Sequence, residues 1–163
     1  MNRQEKWDRI FLDLAEFWAN RCSKDPSTKV GAVISRDIND LVELGYNGFD
    51  KKDPDLPEHY NDREIKYSKI VHAERNAIQR AKKSGYANFL GCTIYTYPFP
   101  PCDSSDSGAG CTDLIIDHGF ARVVSYKPTE AQYERWGESF ESSRKKLEGA
   151  GIELVLYGGV GNY

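Results

Sequence analysis

The sequence of 163 residues lacks the features of several protein classes. It has no apolar run close to the about 20 residues that a bilayer-spanning helix needs. Residues 1–17 are charged and amphipathic and lack the apolar stretch of a signal peptide. There is also no basic excess, since 22 Lys and Arg residues stand against 25 Asp and Glu residues, a net charge of −3. We therefore expect neither a membrane partner nor a stable nucleic-acid partner.

Cysteine is scarce, with four residues in the whole chain. Without an export signal, we expect a cytoplasmic, reducing environment, in which cysteines serve as thiols or metal ligands rather than as disulfides. The hydrophobic content of 39% is sufficient for one core. The length fits a single domain over residues 1–163.

Hydrophobic patterning predicts helices and strands in alternation. Helices are predicted over residues 5–21, 72–84, 111–119 and 130–148. Short apolar runs predict strands at residues 30–35, 41–46, 91–98, 121–126 and 152–157. A hairpin followed by alternating helices and strands predicts the α/β class, as a three-layer α/β/α sandwich on a five-stranded mixed sheet. Strands joined by helices should pair in parallel.

Two polar segments interrupt this pattern. Residues 50–70 form a highly charged insertion with few aliphatic side chains. Residues 103–110 form an extended loop of small polar residues and glycine. Long polar excursions in a small domain usually serve function or are mobile, so we do not expect either segment to build the core.

Three short stretches contain the residue types of a catalytic zinc site. His72 and Cys111 stand at predicted helix starts, and Cys102 follows a predicted strand. Because strand ends and helix starts meet at one edge of an α/β sheet, these side chains should converge. One imidazole and two thiolates leave the fourth zinc position for water, as in catalytic sites. Glu74 is too near His72 along the helix to share its coordination face, so we expect it to move protons beside the metal.

Each of these residues also has a simpler interpretation. An isolated His or Cys is more often a buried core residue than a ligand. Glu74 would also suit a first-turn carboxylate that stabilises the helix dipole. A structural zinc module would need a fourth protein ligand, and no residue at a suitable spacing presents itself. The combination of all four residues favours the catalytic site.

The sequence resembles the cytidine deaminase-like superfamily, whose signature is His-x-Glu followed by Pro-Cys-x-x-Cys. The motifs HAERNAI at 72–78, PFPPC at 98–102 and CTDLII at 111–116 carry this resemblance. Within the superfamily, RCSKDPSTKVGAVI at 21–34 and GYNG at 45–48 are similar to the deoxycytidylate (dCMP) deaminase branch. The resemblance covers nearly the whole chain.

The resemblance implies a fold, a reaction and a cofactor. It implies the cytidine deaminase-like fold and hydrolysis of dCMP to dUMP and ammonia, with a zinc-activated water attacking C4 of the pyrimidine. One zinc per chain would be held by His72, Cys102 and Cys111, with Glu74 carrying protons. The backbone amide of Ala73 would face the pyrimidine carbonyl.

Other residues are candidates for contacts to the rest of the nucleotide. By analogy with the family, Asn47 would meet the sugar hydroxyl. Ser23 and Lys24, a hydroxyl and a cation beside a helix end, are candidates for the 5′-phosphate. Tyr97, Phe99 and Tyr126 are candidates for stacking on the base. Each residue also fits a structural role, as a turn residue, a helix stop or a core aromatic. By resemblance we further expect a homo-oligomer, while regulation by dCTP or dTTP stays open.

One departure from the family pattern leaves the substrate open. Eight residues separate Cys102 from Cys111, where the signature has two. This gap is typical of the riboflavin-biosynthesis deaminase, which acts on an aminopyrimidine ribotide. The SKDP and GYNG elements favour dCMP instead. A nucleic-acid cytosine or adenosine deaminase is a third alternative, against which the acidic balance counts.

Overall fold

A computed structural model describes residues 1–54, 56–105 and 108–159. Its helices in these ranges are α1 Arg3–Cys22, α2 Pro57–Asn61, α3 Arg63–Lys69, α4 Ala73–Lys83, α5 Cys111–Asp117 and α6 Glu130–Gly149. Its strands there are β1 Gly31–Arg36, β2 Asp40–Tyr46, β3 Gly48–Phe49, β4 Ile70–Val71, β5 Thr93–Tyr97, β6 Ser104–Ser105, β7 Gly108–Ala109, β8 Arg122–Tyr126 and β9 Glu153–Tyr157. The predicted long elements are all present, with ends that differ by at most two residues.

Five strands form the central sheet in the order β2-β1-β5-β8-β9. β1 pairs antiparallel with both β2 and β5, whereas β5, β8 and β9 pair in parallel. The parallel pairs are those joined through α5 and α6, because a parallel connection needs a crossover that a short turn cannot supply. The predicted mixed five-stranded sheet is confirmed.

Helices cover both faces of this sheet, since successive strand residues point to opposite sides. The face toward α1 carries Val33, Tyr95 and Val124, which pack with Phe11, Leu12 and Ala15. The opposite face carries Ile34, Ile94 and Val123, which pack with Ala77, Ile115 and Leu147 of the other three long helices. The predicted three-layer α/β/α sandwich is therefore confirmed.

Helix α4 lies directly against β2 because Gly45 has no side chain. A Cβ atom at Gly45 would lie 2.3 Å from the carbonyl oxygen of Ala73 and 2.6 Å from the backbone nitrogen of Ala77. The side-chain amide of Asn76 also donates to the Tyr46 carbonyl oxygen at 2.8 Å. These contacts hold the first turn of α4 close to the end of β2.

The polar insertion is more ordered than its composition suggests. It contains α2 and α3, and its flanks pair as the short strands β3 and β4. Tyr60 is buried and stacks on Phe49, with ring centroids 4.2 Å apart. Residue 55 lies outside the described ranges.

Lys66 of α3 fastens the insertion to the loop after α1. Its Nζ lies 2.8 Å from Asp25 Oδ2 and donates to Ser27 Oγ at 2.8 Å. Both charged side chains are at least nine-tenths buried. A buried pair of this kind loses hydration on both sides, so it is better evidence for a specific arrangement than for added stability.

The predicted loop at residues 103–110 turns back on itself. β6 and β7 pair antiparallel, with Ser104 opposite Ala109 and Ser105 opposite Gly108. Residues 106 and 107 lie outside the described ranges. The residues that flank the segment, Cys102 and Cys111, are thereby brought close together despite the longer spacing.

Candidate active site

Three side chains converge where β5 ends and α4 and α5 begin. His72 is the N-cap of α4, Cys111 is the first residue of α5, and Cys102 follows β5. Nδ1 of His72 lies 3.4 Å from Cys102 Sγ and 3.3 Å from Cys111 Sγ. All three potential ligand atoms lie within 4.8 Å of one another, as the sequence analysis predicted.

The donor atoms have the separations that a tetrahedral zinc site requires. Zn–S bonds of ~2.3 Å and Zn–N bonds of ~2.0 Å place the sulfur and nitrogen ligands ~3.5 Å apart. The two observed Sγ–Nδ1 distances are close to this value. Among the described residues, no other His, Cys, Asp or Glu joins the group. The arrangement fits a zinc ion with three protein ligands and one position left for water.

The two thiols differ in acidity before any metal binds. A hydrogen bond from Cys111, with a further contribution from His72, lowers the pKa of Cys102 to about 4. The same contact with Cys102, together with burial, raises the pKa of Cys111 well above its ordinary value. The two shifts arise from the same sulfur–sulfur contact, so the two thiols titrate as a pair. Because both sulfurs bind metal as thiolates, metal binding must release any thiol proton that the pair retains.

Glu74 lies beside this group in the first turn of α4. Glu74 is only 4% exposed, and this burial raises the pKa of its carboxyl group. The attraction of His72 opposes the rise without reversing it. A raised pKa lets a carboxyl group hold a proton at a higher pH than an ordinary glutamate does, which favours the exchange of protons that a general acid–base needs.

His72, Glu74 and Cys102 line a cavity of about 310 Å³. One wall is aromatic and consists of Phe99, Trp136 and Phe140. The other wall is mainly polar and includes Asp25, Thr28, Val30, Asn47 and Lys66. A concave site with an apolar wall and a few polar groups is the usual form of a small-molecule site.

Comparison with known families identifies this arrangement. Residues 5–127 match the model of the cytidine and deoxycytidylate deaminase zinc-binding region. The chain belongs to this deaminase family. It is a zinc-dependent hydrolytic deaminase, and His72, Glu74, Cys102 and Cys111 all lie within the matched range.

Two curated deaminases are similar to the chain in sequence. An uncharacterised deaminase in the luxG 3′ region of Aliivibrio fischeri is 38% identical over 150 residues, 92% of each chain. The deoxycytidylate deaminase of mouse is 36% identical over 124 residues. That match covers 73% of this chain and 64% of the mouse protein.

A solved structure supports the fold independently. The dCMP deaminase of the cyanophage S-TIM5 superposes with a TM-score of 0.68 over 93% of this chain and 98% of the phage protein. Its sequence identity is 19%, so this similarity concerns the fold. The predicted cytidine deaminase-like α/β fold is thereby confirmed.

Asn47 lines the deaminase cavity, but most of its amide group is engaged inside the protein. Its Oδ1 accepts from the Ser23 hydroxyl at 2.7 Å and from the Val30 backbone nitrogen at 2.9 Å. Its Nδ2 donates to the Thr28 carbonyl oxygen at 2.8 Å. Ser23 is buried behind Asn47 and does not line the cavity. It therefore orients Asn47, rather than facing the cavity as a phosphate contact would.

Two other predicted substrate contacts lie away from the cavity. Lys24 is exposed and is not a lining residue. Tyr126 is buried in the core on the α1 face of the sheet, where its ring meets that of Tyr97 edge to face. Tyr126 shares this face with Val124 because the two residues are two positions apart on β8. The structure thus gives Tyr126 a packing role, whereas Ala73 lines the cavity as expected.

Sequence reasoning missed the residues that α6 contributes to the deaminase cavity. Trp136 interrupts this helix with φ −129° and ψ 15° and lies against Phe99, with ring centroids 5.2 Å apart. Phe140, one helical turn later, also packs on Phe99. The only signal was their spacing, which is equally typical of core packing. Lys66 was missed because it lies in a segment of many charged residues.

Proposed function

We propose that the protein converts dCMP to dUMP and ammonia, with one zinc ion per chain. The observation that carries this proposal is the composition of the polar cavity wall. Thr28, Val30 and Asn47 belong to the SKDPSTKV and GYNG segments that resemble the dCMP deaminase branch, and all three line the same cavity as His72 and Cys102. The similarity to mouse deoxycytidylate deaminase supports the same substrate.

His72, Cys102 and Cys111 would hold the zinc ion. Zinc at such a site acts as a Lewis acid and lowers the pKa of water from ~16 to ~7. Glu74 would take one proton from water and deliver it to N3 of the pyrimidine. It would then take the proton of the new hydroxyl on C4, which becomes the carbonyl, and pass that proton to the amine, which leaves as ammonia. Its raised pKa suits this work, because the carboxyl group must both gain and lose a proton in each turnover.

The cavity walls would orient the nucleotide. The backbone amide of Ala73, at the start of α4, donates to the pyrimidine carbonyl oxygen, since the first amides of a helix lack partners within it. Phe99 and Trp136 offer an aromatic surface for the base. Asn47 meets the sugar hydroxyl through the remaining proton of its amide, held in place by Ser23. A phosphate contact by Lys24 stays a prediction.

A substrate panel tests the proposal. Purified protein is incubated with dCMP, CMP, dCTP, deoxycytidine, cytidine and a single-stranded oligodeoxynucleotide, while ammonia release and zinc content are measured. We expect dCMP to give the highest kcat/KM and about one zinc per chain. Equal turnover of dCMP and deoxycytidine would contradict nucleotide specificity. Sizing of the same sample, with and without dCTP and dTTP, tests the expected homo-oligomer and its regulation.

The second candidate is deamination of an aminopyrimidine ribotide, as in riboflavin biosynthesis. The eight-residue spacing between Cys102 and Cys111 favours it. The panel therefore includes this ribotide. Its turnover together with inactivity toward dCMP would replace the first proposal by the second.

A further inference from the structure

One stripe of α6 contacts the residues that follow both cysteines. Ser139 Oγ accepts a hydrogen bond from the backbone nitrogen of Asp103 at 3.0 Å. Ser143 Oγ lies 2.6 Å from Thr112 Oγ1. Ser139 and Ser143 are four residues apart, so they lie on the same side of the helix. Asp103 follows Cys102 and Thr112 follows Cys111, so the helix reaches both halves of the proposed zinc site.

Lys146 extends the same stripe by a further turn. Its ammonium group forms ion pairs with Asp103 and with Asp113 Oδ1, the latter at 3.2 Å. Its side chain is 40% exposed, so water weakens these ion pairs. The buried hydroxyl pair must therefore do most of the positioning.

Thr112 connects the two cysteine segments directly. Its backbone nitrogen and its Oγ1 both bond to the carbonyl oxygen of Cys102, at 3.1 and 2.8 Å. A threonine hydroxyl has one proton. If that proton goes to Cys102, the Ser143 hydroxyl donates to Thr112 Oγ1, and every group is satisfied. Thr112 and Ser143 are 0% and 1% exposed, so water does not compete for these bonds.

The β6–β7 hairpin begins just after Cys102 and ends just before Cys111, next to the hydrogen bonds of Thr112. Ser104 pairs with Ala109, which brings its two strands together beyond the Thr112–Cys102 contact. The segments that contain Cys102 and Cys111 are therefore connected by two hydrogen bonds from Thr112 to the Cys102 carbonyl oxygen.

We propose that Thr112 and Ser143 are positioning residues that set the separation of the Cys102 and Cys111 sulfurs, and that the tip of the hairpin is dispensable for zinc binding. This inference rests on the proposed zinc ligands, but not on dCMP as the substrate. The enlarged spacing is compatible with a preformed site because Thr112 and α6 hold the two cysteine segments together.

The first test removes the hydroxyl groups. Thr112→Val keeps the shape of the side chain but leaves the Cys102 carbonyl oxygen with one hydrogen bond, that from the backbone nitrogen of residue 112. We expect zinc transfer from the loaded protein to a chromophoric chelator to be about 10- to 100-fold faster, as for other residues that orient metal ligands. Ser143→Ala should act in the same direction, and the double variant should exceed Thr112→Val only slightly. Thr112→Ser, which restores a hydroxyl, should release zinc near the wild-type rate.

Ser125→Ala is the matched control. Ser125 is also fully buried and donates to a carbonyl oxygen, that of Thr96, at 2.7 Å, but it lies within the sheet. Thermal unfolding of the chelator-stripped proteins ranks the loss of stability in each variant. If Ser125→Ala destabilises the fold as much as Thr112→Val and accelerates zinc release equally, the effect is general loosening and the proposal is wrong.

The second test shortens the hairpin. Replacing residues 105–108 with Asn-Gly joins the paired residues Ser104 and Ala109 through a two-residue turn. We expect zinc release to stay within about 2-fold of the wild type. Loss of zinc from this variant, with retention by Thr112→Val, would overturn the proposal and assign the spacing to the hairpin. Absence of zinc from the wild type would overturn the metal site itself, whereas normal zinc behaviour without dCMP turnover would refute only the substrate.

Discussion

Two buried carboxyl groups lie on opposite sides of the sheet and have opposite surroundings. Asp8 of α1 is 0% exposed and accepts hydrogen bonds from Arg122 at 2.9 and 3.1 Å, from Tyr95 at 2.9 Å and from Tyr157 at 2.8 Å. Glu74 of α4 is nearly as buried but faces a cavity and two thiols. The donors to Asp8 include a guanidinium group and two phenols, whereas Glu74 is influenced by His72, the thiol of Cys111 and its own backbone amide.

The pKa values follow this difference. Burial alone would raise the pKa of Asp8, but the hydrogen bonds from Arg122 and the two tyrosines outweigh it, so the pKa lies below its ordinary value. For Glu74 burial dominates, and the pKa is raised. A buried carboxylate paired with a cation contributes to the fold, whereas a buried carboxyl group whose pKa is raised beside a cavity is a candidate for proton transfer. The following predictions test this contrast.

The largest effect should come from Glu74→Gln. The amide keeps the size of the side chain but cannot exchange protons, so turnover should fall by at least ~10²- to 10⁴-fold. Zinc content should be unchanged. Stability of the metal-free protein at neutral pH should be equal or higher, because an uncharged group replaces a carboxylate in a desolvated position. Kinetics, metal analysis and urea unfolding measure these quantities, and residual activity above a tenth of wild type would refute the assigned role.

Asp8→Asn should have the opposite profile. It leaves the guanidinium group of Arg122 without its buried partner, and breaking such a pair costs ~3–5 kcal/mol of unfolding free energy. The fraction that stays folded should retain zinc and kcat. Urea unfolding with activity assays below the transition checks this. A loss of kcat in fully folded protein would mean that the α1 side also serves catalysis.

Acid should affect the two carboxyl groups in opposite ways. Because the pKa of Asp8 is depressed by folding, its contribution is complete above about pH 4 and is lost as pH falls through the folded pKa. Because the pKa of Glu74 is raised, metal-free protein should lose stability as pH rises from about 4.5 through its folded pKa. Unfolding free energies of stripped protein should therefore depend less on pH below 4 in Asp8→Asn, and less above 4.5 in Glu74→Gln. Parallel curves for both variants and the wild type would contradict this assignment.

The smallest effect should come from Tyr126→Phe. The Tyr126 hydroxyl is buried and has no hydrogen-bond partner among the described residues. Its removal should change stability by less than about 1 kcal/mol and leave kcat and KM for dCMP within about 2-fold. A tenfold rise in KM would return Tyr126 to the substrate site.

The parts of the site that were predictable are those encoded by local patterns. His72 and Cys111 start helices, and the α/β rule that strand ends and helix starts share an edge predicts their convergence with Cys102. Trp136 reaches the cavity only through the packing of α6, which no local pattern reports. Tyr126 was misplaced because strand alternation gives two faces without saying which one is covered by which helix.

The polar insertion shows the same limit. Its two short helices are stabilised by long-range contacts, such as Lys66 with Asp25 and Tyr60 with Phe49. The local sequence of this segment contains many charges and two prolines, a composition typical of loops. The prediction that this segment does not build the core still pointed toward function, since Lys66 from this segment lines the cavity.

The absence of a side chain at Gly45 has a further consequence for ligand binding. With the α4 backbone seated on β2, the turn after the strand and the first turn of the helix must shift together. The distance between Asn47, which follows β2, and His72, which precedes α4, is thereby held nearly constant. Because Asn47 and His72 both line the cavity, a bound ligand meets these two positions at a separation set by the packing of the α4 backbone on β2.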